Sequence, residues 1–177
     1  MTASVRLWDP LLRLCHWSLA LVFFADYFFN EAGDDWHQWL GYYAGACLVL
    51  RIGWGFVGPR SARWKDFWPT RARLKAHALA LWRGERFHRL GHTPIGALVM
   101  VLMMAGIASL GVTGWMMLEV DALWGAEWLE TLHSWLADAV LALVGVHLLA
   151  ALVESVRLRE NLPLSMVTGR RRSSDES

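Results

Sequence analysis

Cysteine and charged residues are both scarce in this sequence. Of its 177 residues only two are cysteines, and only 19% are charged. Cys15 and Cys47 are expected at different depths of the fold, so the sequence predicts no structural disulfide. The first apolar run lacks a small-residue cleavage site and contains Arg13 and His16. It is therefore predicted to be a helix of the protein rather than a signal peptide.

Apolar residues, by contrast, are abundant. The chain is 55% hydrophobic with a mean hydropathy of +0.30, and its 12 tryptophans far exceed ordinary usage. Four segments are long enough to cross a bilayer as helices, namely residues 11–29, 36–57, 94–118 and 129–156. The sequence therefore predicts an all-α integral membrane protein. We expect one four-helix transmembrane bundle over residues 1–177, ending in a polar tail at 168–177.

Basic residues are missing from two of the three connections between these helices. All 17 lysines and arginines lie at the N-terminus, between residues 51 and 89, or between 157 and 172. In the other two connections and the helix ends beside them, every charged residue is acidic. These residues are Asp26, Glu31, Asp34 and Asp35, then Glu119, Asp121, Glu127 and Glu130. The positive-inside rule therefore predicts that both termini are cytoplasmic and that the acidic connections face outward. We expect the bacterial cytoplasmic (inner) membrane.

The basic connection at 58–91 contains a helical pattern, RARLKAHALALWRG. This pattern predicts a cytoplasmic amphipathic helix between helices two and three, lying in the headgroup region. Its predicted apolar side is formed by Leu74, Ala78, Leu81 and Trp82. The histidines of the connection, His77 and His88, are predicted to be solvated surface residues.

Two histidines lie near the ends of the fourth apolar segment. His133 and His147 are fourteen residues apart, which places them near one stripe of a helix and about 21 Å apart along its axis. An imidazole inside a membrane helix is costly unless it is bonded to a partner. A single buried histidine could satisfy this need by hydrogen bonding to a carbonyl. Two at matched ends favour metal binding at two depths.

Two further histidines match these depths. His16 is expected near the cytoplasmic side with His147, and His37 near the outer side with His133. Two imidazoles at each of two levels are what two bis-histidine haems need, and filling both axial positions favours electron transfer. No C-x-x-C-H run is present, which excludes covalent haem attachment. A metal transporter using these imidazoles is the main alternative, with Cys47, Asp138 and Asp26 as the only further candidate ligands.

Glycines accompany the predicted sites. Gly41 and Gly45 follow His37 by one and two turns, which leaves room for a flat macrocycle or, equally, for close helix packing. Helix three contains several glycines and no histidine within its body, so it is predicted to line the site without supplying a ligand. No catalytic residue is predicted.

Four motifs carry a resemblance to a known family. They are RLWDPLLRLCHW, His37-x-x-x-Gly41-Tyr42, GHTPIGAL, and LHSWLA followed by VGVH fourteen residues on. With them the chain resembles the prokaryotic cytochrome b561 family and the related b-type cytochrome subunits of nickel-iron hydrogenases. The resemblance implies a four-helix membrane bundle that binds two b haems. The implied axial ligands are His16, His37, His133 and His147.

The resemblance also implies residues around the haems and a redox partner. Arg13 and His92 would steady haem propionates at the cytoplasmic edge, although His92 could equally be only a helix-entry residue. Thr93 stands where the family's GH-x-P motif often has Asn. A quinone or quinol is implied as substrate or co-substrate at one end. No quinone motif is readable in the sequence itself.

The acidic outer connections suggest what the second redox partner is. They would attract a basic periplasmic electron-transfer protein, such as a cytochrome c or a hydrogenase-like subunit, and would repel an anion such as superoxide. Acidic outer connections also follow from topology alone. A stand-alone quinone-linked oxidoreductase of the superoxide oxidase type is therefore the alternative function. Beyond these partners we expect membrane lipid and no nucleic acid.

Overall fold

The computed structural model describes residues 4–85 and 91–172. Within these residues the chain forms seven α-helices and one pair of short strands. The helices are α1 Pro10–Phe29, α2 Asp35–Val57, α3 Trp64–Phe67, α4 Arg71–Trp82, α5 Pro94–Glu119, α6 Glu127–Leu158 and α7 Leu162–Thr168. The strands are β1 Ser4–Arg6 and β2 Arg170–Arg172, which pair antiparallel. Single turns of 3-10 helix occur at Arg60–Ala62 and Asp121–Leu123.

Four of the helices have the length and composition of membrane spans. These are α1, α2, α5 and α6, with 20, 23, 26 and 32 residues. Each agrees with a predicted segment to within two residues at either end. The prediction of an all-α membrane bundle is confirmed. Most side chains of the spans lie on the protein surface, as expected where lipid covers the apolar faces.

Side-chain caps fix where three of these helices begin. Asp9, Asp34 and Thr93 each accept a hydrogen bond from a backbone N–H in the first turn of α1, α2 and α5 respectively. Pro10 and Pro94 occupy the first helical positions of α1 and α5, where a missing N–H costs nothing. The caps satisfy donors that would otherwise be unpaired at the helix ends.

The spans pack in a chain rather than a closed ring. α1 packs against α2, α2 against α5, and α5 along α6. Within the described residues, α6 makes at most isolated contacts with α1 and with α2. α5 and α6 pack closely at Gly106, where an added Cβ would lie 2.5 Å from Cγ2 of Val140. The arrangement leaves space between α6 and the first two helices.

A small buried cluster closes the end of the bundle where the N- and C-terminal segments meet. Trp8, Leu12 and Ala62 form this cluster. The indole of Trp8 donates to Ser165 Oγ at 3.3 Å, and the backbone N–H groups of residues 7 and 8 donate to the Gly169 carbonyl. The pairing of β1 with β2 extends this contact. The C-terminal segment therefore clasps the start of α1.

The prediction that the two cysteines lie at different depths is wrong. Trp54 Nε1 donates to Asp9 Oδ1 at 3.2 Å, which makes the start of α1 level with the end of α2. Six residues along α1 and seven back along α2 then bring Cys15 and Cys47 to one level. Both are buried free thiols that line a groove of about 230 Å³ between these helices. Ser18 Oγ lies 3.9 Å from the Cys47 sulfur.

A helix is present in the basic connection as α4. It packs against α5, and its buried residues are His77 and Ala80, which are 3% and 8% exposed. Leu74, Ala78, Leu81 and Trp82, the side predicted to lie in the headgroup region, are not buried within the protein. That this side lies against lipid stays a prediction.

His77 is therefore buried rather than solvated as predicted. It lies close to the end of α6, where the charges of Glu154 and Arg157 act on its imidazole. Burial lowers the pKa of His77; the carboxylate of Glu154 opposes this shift and the guanidinium of Arg157 adds to it. The other histidine of the connection, His88, lies outside the described residues.

Candidate functional site

His37 and His133 face each other at one end of the bundle. Their ring centroids are 5.9 Å apart and their planes are inclined by 72°. His37 is the third residue of α2, and its backbone N–H is held by the capping carboxylate of Asp34 at 2.6 Å. His133 lies two turns into α6. We call these two imidazoles the outer pair.

The outer pair is oriented by hydrogen bonds to its Nδ1 atoms. His37 Nδ1 lies 3.1 Å from Asp26 Oδ1, and His133 Nδ1 lies 2.7 Å from Thr113 Oγ1. A carboxylate only accepts, so His37 donates its Nδ1–H to Asp26. The Thr113 hydroxyl already donates to carbonyls of its own helix and therefore accepts from His133. This tautomer, inferred from the hydrogen-bond network, leaves both Nε2 lone pairs free for a metal.

His16 and His147 form a second pair at the other end. Their ring centroids are 6.3 Å apart and their planes are inclined by 53°. His16 lies in the second turn of α1, and His147 lies fourteen residues beyond His133 on α6. His16 Nδ1 is buried without a hydrogen-bond partner, and within the described part of the chain His147 makes no side-chain hydrogen bond. We call this the inner pair.

The spacing within each pair fits an iron held between two imidazoles. A first-row metal lies about 2 Å from a bound imidazole nitrogen, so two imidazoles on opposite sides of one iron place their centroids roughly 6 Å apart. The measured separations are 6.3 and 5.9 Å. α6 makes at most isolated contacts with α1 and with α2 among the described residues, so neither pair is closed off by direct packing of these helices. The residues present therefore fit a bis-histidine haem at each end.

Gly41 and Gly45 border open space on α2. No atom outside their immediate neighbourhood lies within 4 Å of an added Cβ at either glycine. The alternative of close helix packing at these two positions is therefore not seen, whereas Gly106 does pack closely on α6. On α5, an added Cβ at Gly114 would lie 3.5 Å from the ring of His133. This helix lines the outer pair, as its glycines led us to expect.

His92 lies beside the inner pair, just before α5. Its ring packs edge-on against Trp8 at a centroid distance of 5.0 Å, and its Nδ1 is buried without a hydrogen-bond partner. Burial, followed by the positive charge of Arg51 and the nearby imidazoles of His147 and His16, lowers the pKa of His92 to about 3. The ring is therefore neutral at physiological pH. It can offer a polar atom to the inner site but no charge.

The two arginines near the inner pair differ in their bonding. The Arg13 guanidinium donates to the backbone carbonyls of Met166, at 3.3 Å, and Val167, so it is already engaged at the end of α7. Arg51, which the sequence did not single out, packs its guanidinium over the Trp64 ring at 4.9 Å. Its Nη2 is buried without a hydrogen-bond partner. Arg51 is thus the arginine of the two with a buried donor that has no partner.

The sequence also did not single out the residues that orient the outer pair. The sequence places Asp26 on the acidic outer side and among the candidate ligands of the alternative metal transporter, and it does not mark Thr113. An acidic residue inside an apolar segment eleven positions before a candidate ligand was the available signal for Asp26. Nothing local to Thr113 marks it, because its partner is twenty residues away.

The candidate ligands of the alternative transporter do not gather. Among the described residues, no group of three or more His, Cys, Asp or Glu side chains is arranged to hold a metal ion. Asp26 bonds to His37, Asp138 accepts from Tyr27 Oη at 2.5 Å, and Cys47 faces Ser18. The three residues that the transporter needs are therefore engaged at separate places.

The fold and its two imidazole pairs define a four-helix membrane protein with facing histidines toward each end of α6, an arrangement typical of b-type cytochromes. Comparison with known families agrees, because the model of the family described as prokaryotic cytochrome b561 matches residues 7–169. The chain belongs to the prokaryotic cytochrome b561 family. It is a b-type cytochrome of membrane electron transfer and binds haem b. No curated protein and no solved structure matches the chain.

Proposed function

We propose that this protein is a di-haem cytochrome that moves electrons across the bacterial cytoplasmic membrane, between the quinone pool and a periplasmic electron-transfer protein. The observation that carries the proposal is the presence of two imidazole pairs, one toward each end of α6. The ring centroids within the pairs are 5.9 and 6.3 Å apart. One such pair would serve only one side of the membrane. Two pairs about 21 Å apart along one helix connect both sides.

Each histidine has a defined role in this proposal. His37 and His133 hold the outer haem, and His16 and His147 hold the inner haem. The haems supply one-electron redox chemistry at the iron. With two histidines to hold each haem iron, the protein would leave no coordination position for oxygen or substrate. His92 and Arg51 lie where they can bind haem propionates at the inner site, a role for which Arg13 is less suited because it is bonded to α7.

The orientation and the partner follow from charge. The connection between α1 and α2 and that between α5 and α6 carry acidic residues and no basic ones, so we assign them to the periplasm and both termini to the cytoplasm. A basic cytochrome c, or another electron-carrying subunit with a basic surface, complements the acidic side. The quinone then exchanges electrons and protons at the cytoplasmic side.

Haem stoichiometry tests the proposal. Pyridine haemochrome analysis of the purified protein is expected to give two haems b per chain. His133→Ala is expected to lose the outer haem alone and His147→Ala the inner haem alone, each leaving one per chain. His77→Ala is the matched control, because it removes a buried imidazole that belongs to neither pair, and it is expected to retain both. A wild-type protein with one haem or none would overturn the di-haem assignment.

A further inference from the structure

The outer and inner pairs differ in what surrounds them. From this difference we infer that Asp26 makes the outer site the lower-potential one of the two, so that electrons run downhill from the periplasmic face to the cytoplasmic face. The inference rests on the proposed function and adds a direction to it. The periplasmic protein is then the electron donor and the quinone the acceptor.

The first step of the argument is the hydrogen bond between Asp26 and His37. Asp26 Oδ1 accepts from His37 Nδ1 at 3.1 Å, and both side chains are mostly shielded from solvent, at 19% and 31% exposure. A carboxylate bonded to the distal nitrogen of a ligating imidazole makes that imidazole more basic. The more basic ligand stabilises the oxidised, more positive iron. Asp26 thereby acts as a positioning residue that lowers the outer potential.

The inner pair has no such partner. Within the described residues, neither His16 nor His147 makes a side-chain hydrogen bond, and His16 Nδ1 is buried and unpaired. Among the described residues no carboxylate is bonded to either inner imidazole, so no partner there makes the ligand more basic as Asp26 does at the outer site.

The two sites therefore differ in the basicity of a ligand. At the outer site a carboxylate bonds to a ligand and acidic residues line the adjacent connections, whereas at the inner site no ligand is bonded to an acid. An electron from the periplasmic protein therefore moves from a lower to a higher potential as it crosses. Two such one-electron transfers, with two protons taken from the cytoplasm, reduce one quinone to quinol.

Redox titration of the single-haem proteins tests the order of the potentials. His147→Ala retains the outer site and His133→Ala the inner, and the reduced α-band of each is followed against potential in detergent. We expect the outer site to titrate at the lower potential. The α-band reports the equilibrium of the iron itself, so this readout does not depend on turnover with quinone or partner.

Asp26→Asn then tests the cause. In the His147→Ala background it is expected to shift the reduction equilibrium of the outer site about tenfold toward the reduced form, which is about 59 mV for a one-electron couple. Asp26→Glu, which keeps the carboxylate, is expected to retain most of the low potential. Asp138→Asn is the matched control, because it neutralises another carboxylate of a membrane span that bonds to Tyr27 and not to a ligand. In the same His147→Ala background it is expected to leave the potential of the outer site unchanged.

Two results would overturn the inference. One is an outer potential equal to or above the inner one. The other is a shift in Asp26→Asn no larger than in Asp138→Asn. If Asp26→Asn fails to hold the outer haem, the order of the two potentials still decides. A protein with two haems and the reverse order would refute the inference but leave the proposed function standing, whereas a protein without paired haems would refute the proposed function.

Discussion

Thr113 on α5 and His133 on α6 are joined by a hydrogen bond of 2.7 Å between the threonine hydroxyl and Nδ1 of the histidine. The hydroxyl proton is directed to the carbonyl of Ser109, one turn earlier. This chain of donors fixes which nitrogen of His133 faces His37. A helix that supplies no ligand thereby determines how a ligand on the neighbouring helix is presented.

Replacing Thr113 by Val is therefore expected to weaken the outer haem site. Valine has nearly the same shape but cannot accept from Nδ1, so His133 loses its fixed tautomer and orientation. Loss of such a partner typically costs about 10- to 100-fold in affinity. We expect faster transfer of the outer haem to apomyoglobin, measured by absorbance, and no change at the inner site.

Ser109→Ala is the control for this change, because it removes a hydroxyl from the same helix, one that donates only to the Ala105 carbonyl. It is expected to keep both haems at wild-type rates. Equal loss of haem from Ser109→Ala and Thr113→Val would show that the effect comes from the helix and not from the bond to His133.

Much of the fold is readable from the sequence because the signals are local. Runs of apolar residues mark the spans to within two residues, and Asp9 before Pro10 and Thr93 before Pro94 mark the start of α1 and α5. The histidine pairs follow from depth alone, since His133 and His147 lie on one helix and are about 21 Å apart along it. Local sequence signals are therefore sufficient to predict features that depend on one helix alone, such as its bounds and the depths of its histidines.

What the sequence does not predict depends on how helices meet. The sequence predicts different depths for Cys15 and Cys47, and this prediction is wrong. The level at which α1 lies against α2 is set by the bond between Asp9 and Trp54, which are 45 residues apart, so no local pattern reveals it. The buried position of His77 depends in the same way on the packing of α4 against α5. The sequence does not reveal Thr113 as the partner of His133 for the same reason, because the two residues lie on different helices.

Gly106 is expected to be the least replaceable glycine of α5. Its Cβ would lie 2.5 Å from Cγ2 of Val140, so in Gly106→Val either the Val140 side chain or the two helices must shift. Overpacking of this kind typically costs about 1–3 kcal/mol. We expect a lower midpoint of thermal unfolding in detergent.

Gly111→Val offers a matched comparison on the same helix, because an added Cβ there meets no atom within 4 Å. It is expected to unfold at nearly the wild-type temperature. If the two variants are destabilised equally, valine acts through its helix propensity and the contact between Gly106 and Val140 is unimportant.

The buried imidazole of His77 is expected to make stability depend on pH. Burial lowers the pKa of His77 in the folded protein, so below the unfolded value of about 6.5 the unfolded chain binds a proton that the folded chain does not. Stability is therefore complete above that pH and falls as the pH decreases through it. Glu154 opposes the lowered pKa, and Arg157 adds to it.

Thermal unfolding of the wild type and of His77→Gln between pH 7.5 and 5.5 measures this contribution. The wild type is expected to lose more stability than the variant as the pH falls, because glutamine does not titrate. The same loss in both proteins would assign the pH dependence to other groups, of which His92, with its pKa of about 3, is the first to examine.

The connection between α5 and α6 is expected to be where the periplasmic partner docks. It presents four exposed acidic residues, Glu119, Asp121, Glu127 and Glu130. Charges exposed to solvent act mainly on the rate of encounter. Electron exchange with a basic cytochrome c, followed by stopped-flow absorbance, is therefore expected to slow as ionic strength rises. The double variant Glu127→Gln/Glu130→Gln should be slower at low salt and less sensitive to added salt.

Glu85→Gln is the control for this surface. Glu85 is exposed at the end of α4, on the side assigned to the cytoplasm, and its replacement is expected to leave the exchange rate unchanged. A stand-alone quinone-linked oxidoreductase would behave differently, because the purified chain would turn over quinone without any protein partner and neither substitution would alter its salt dependence. Turnover of that kind would remove the need for a partner and would contradict the docking surface proposed for this connection.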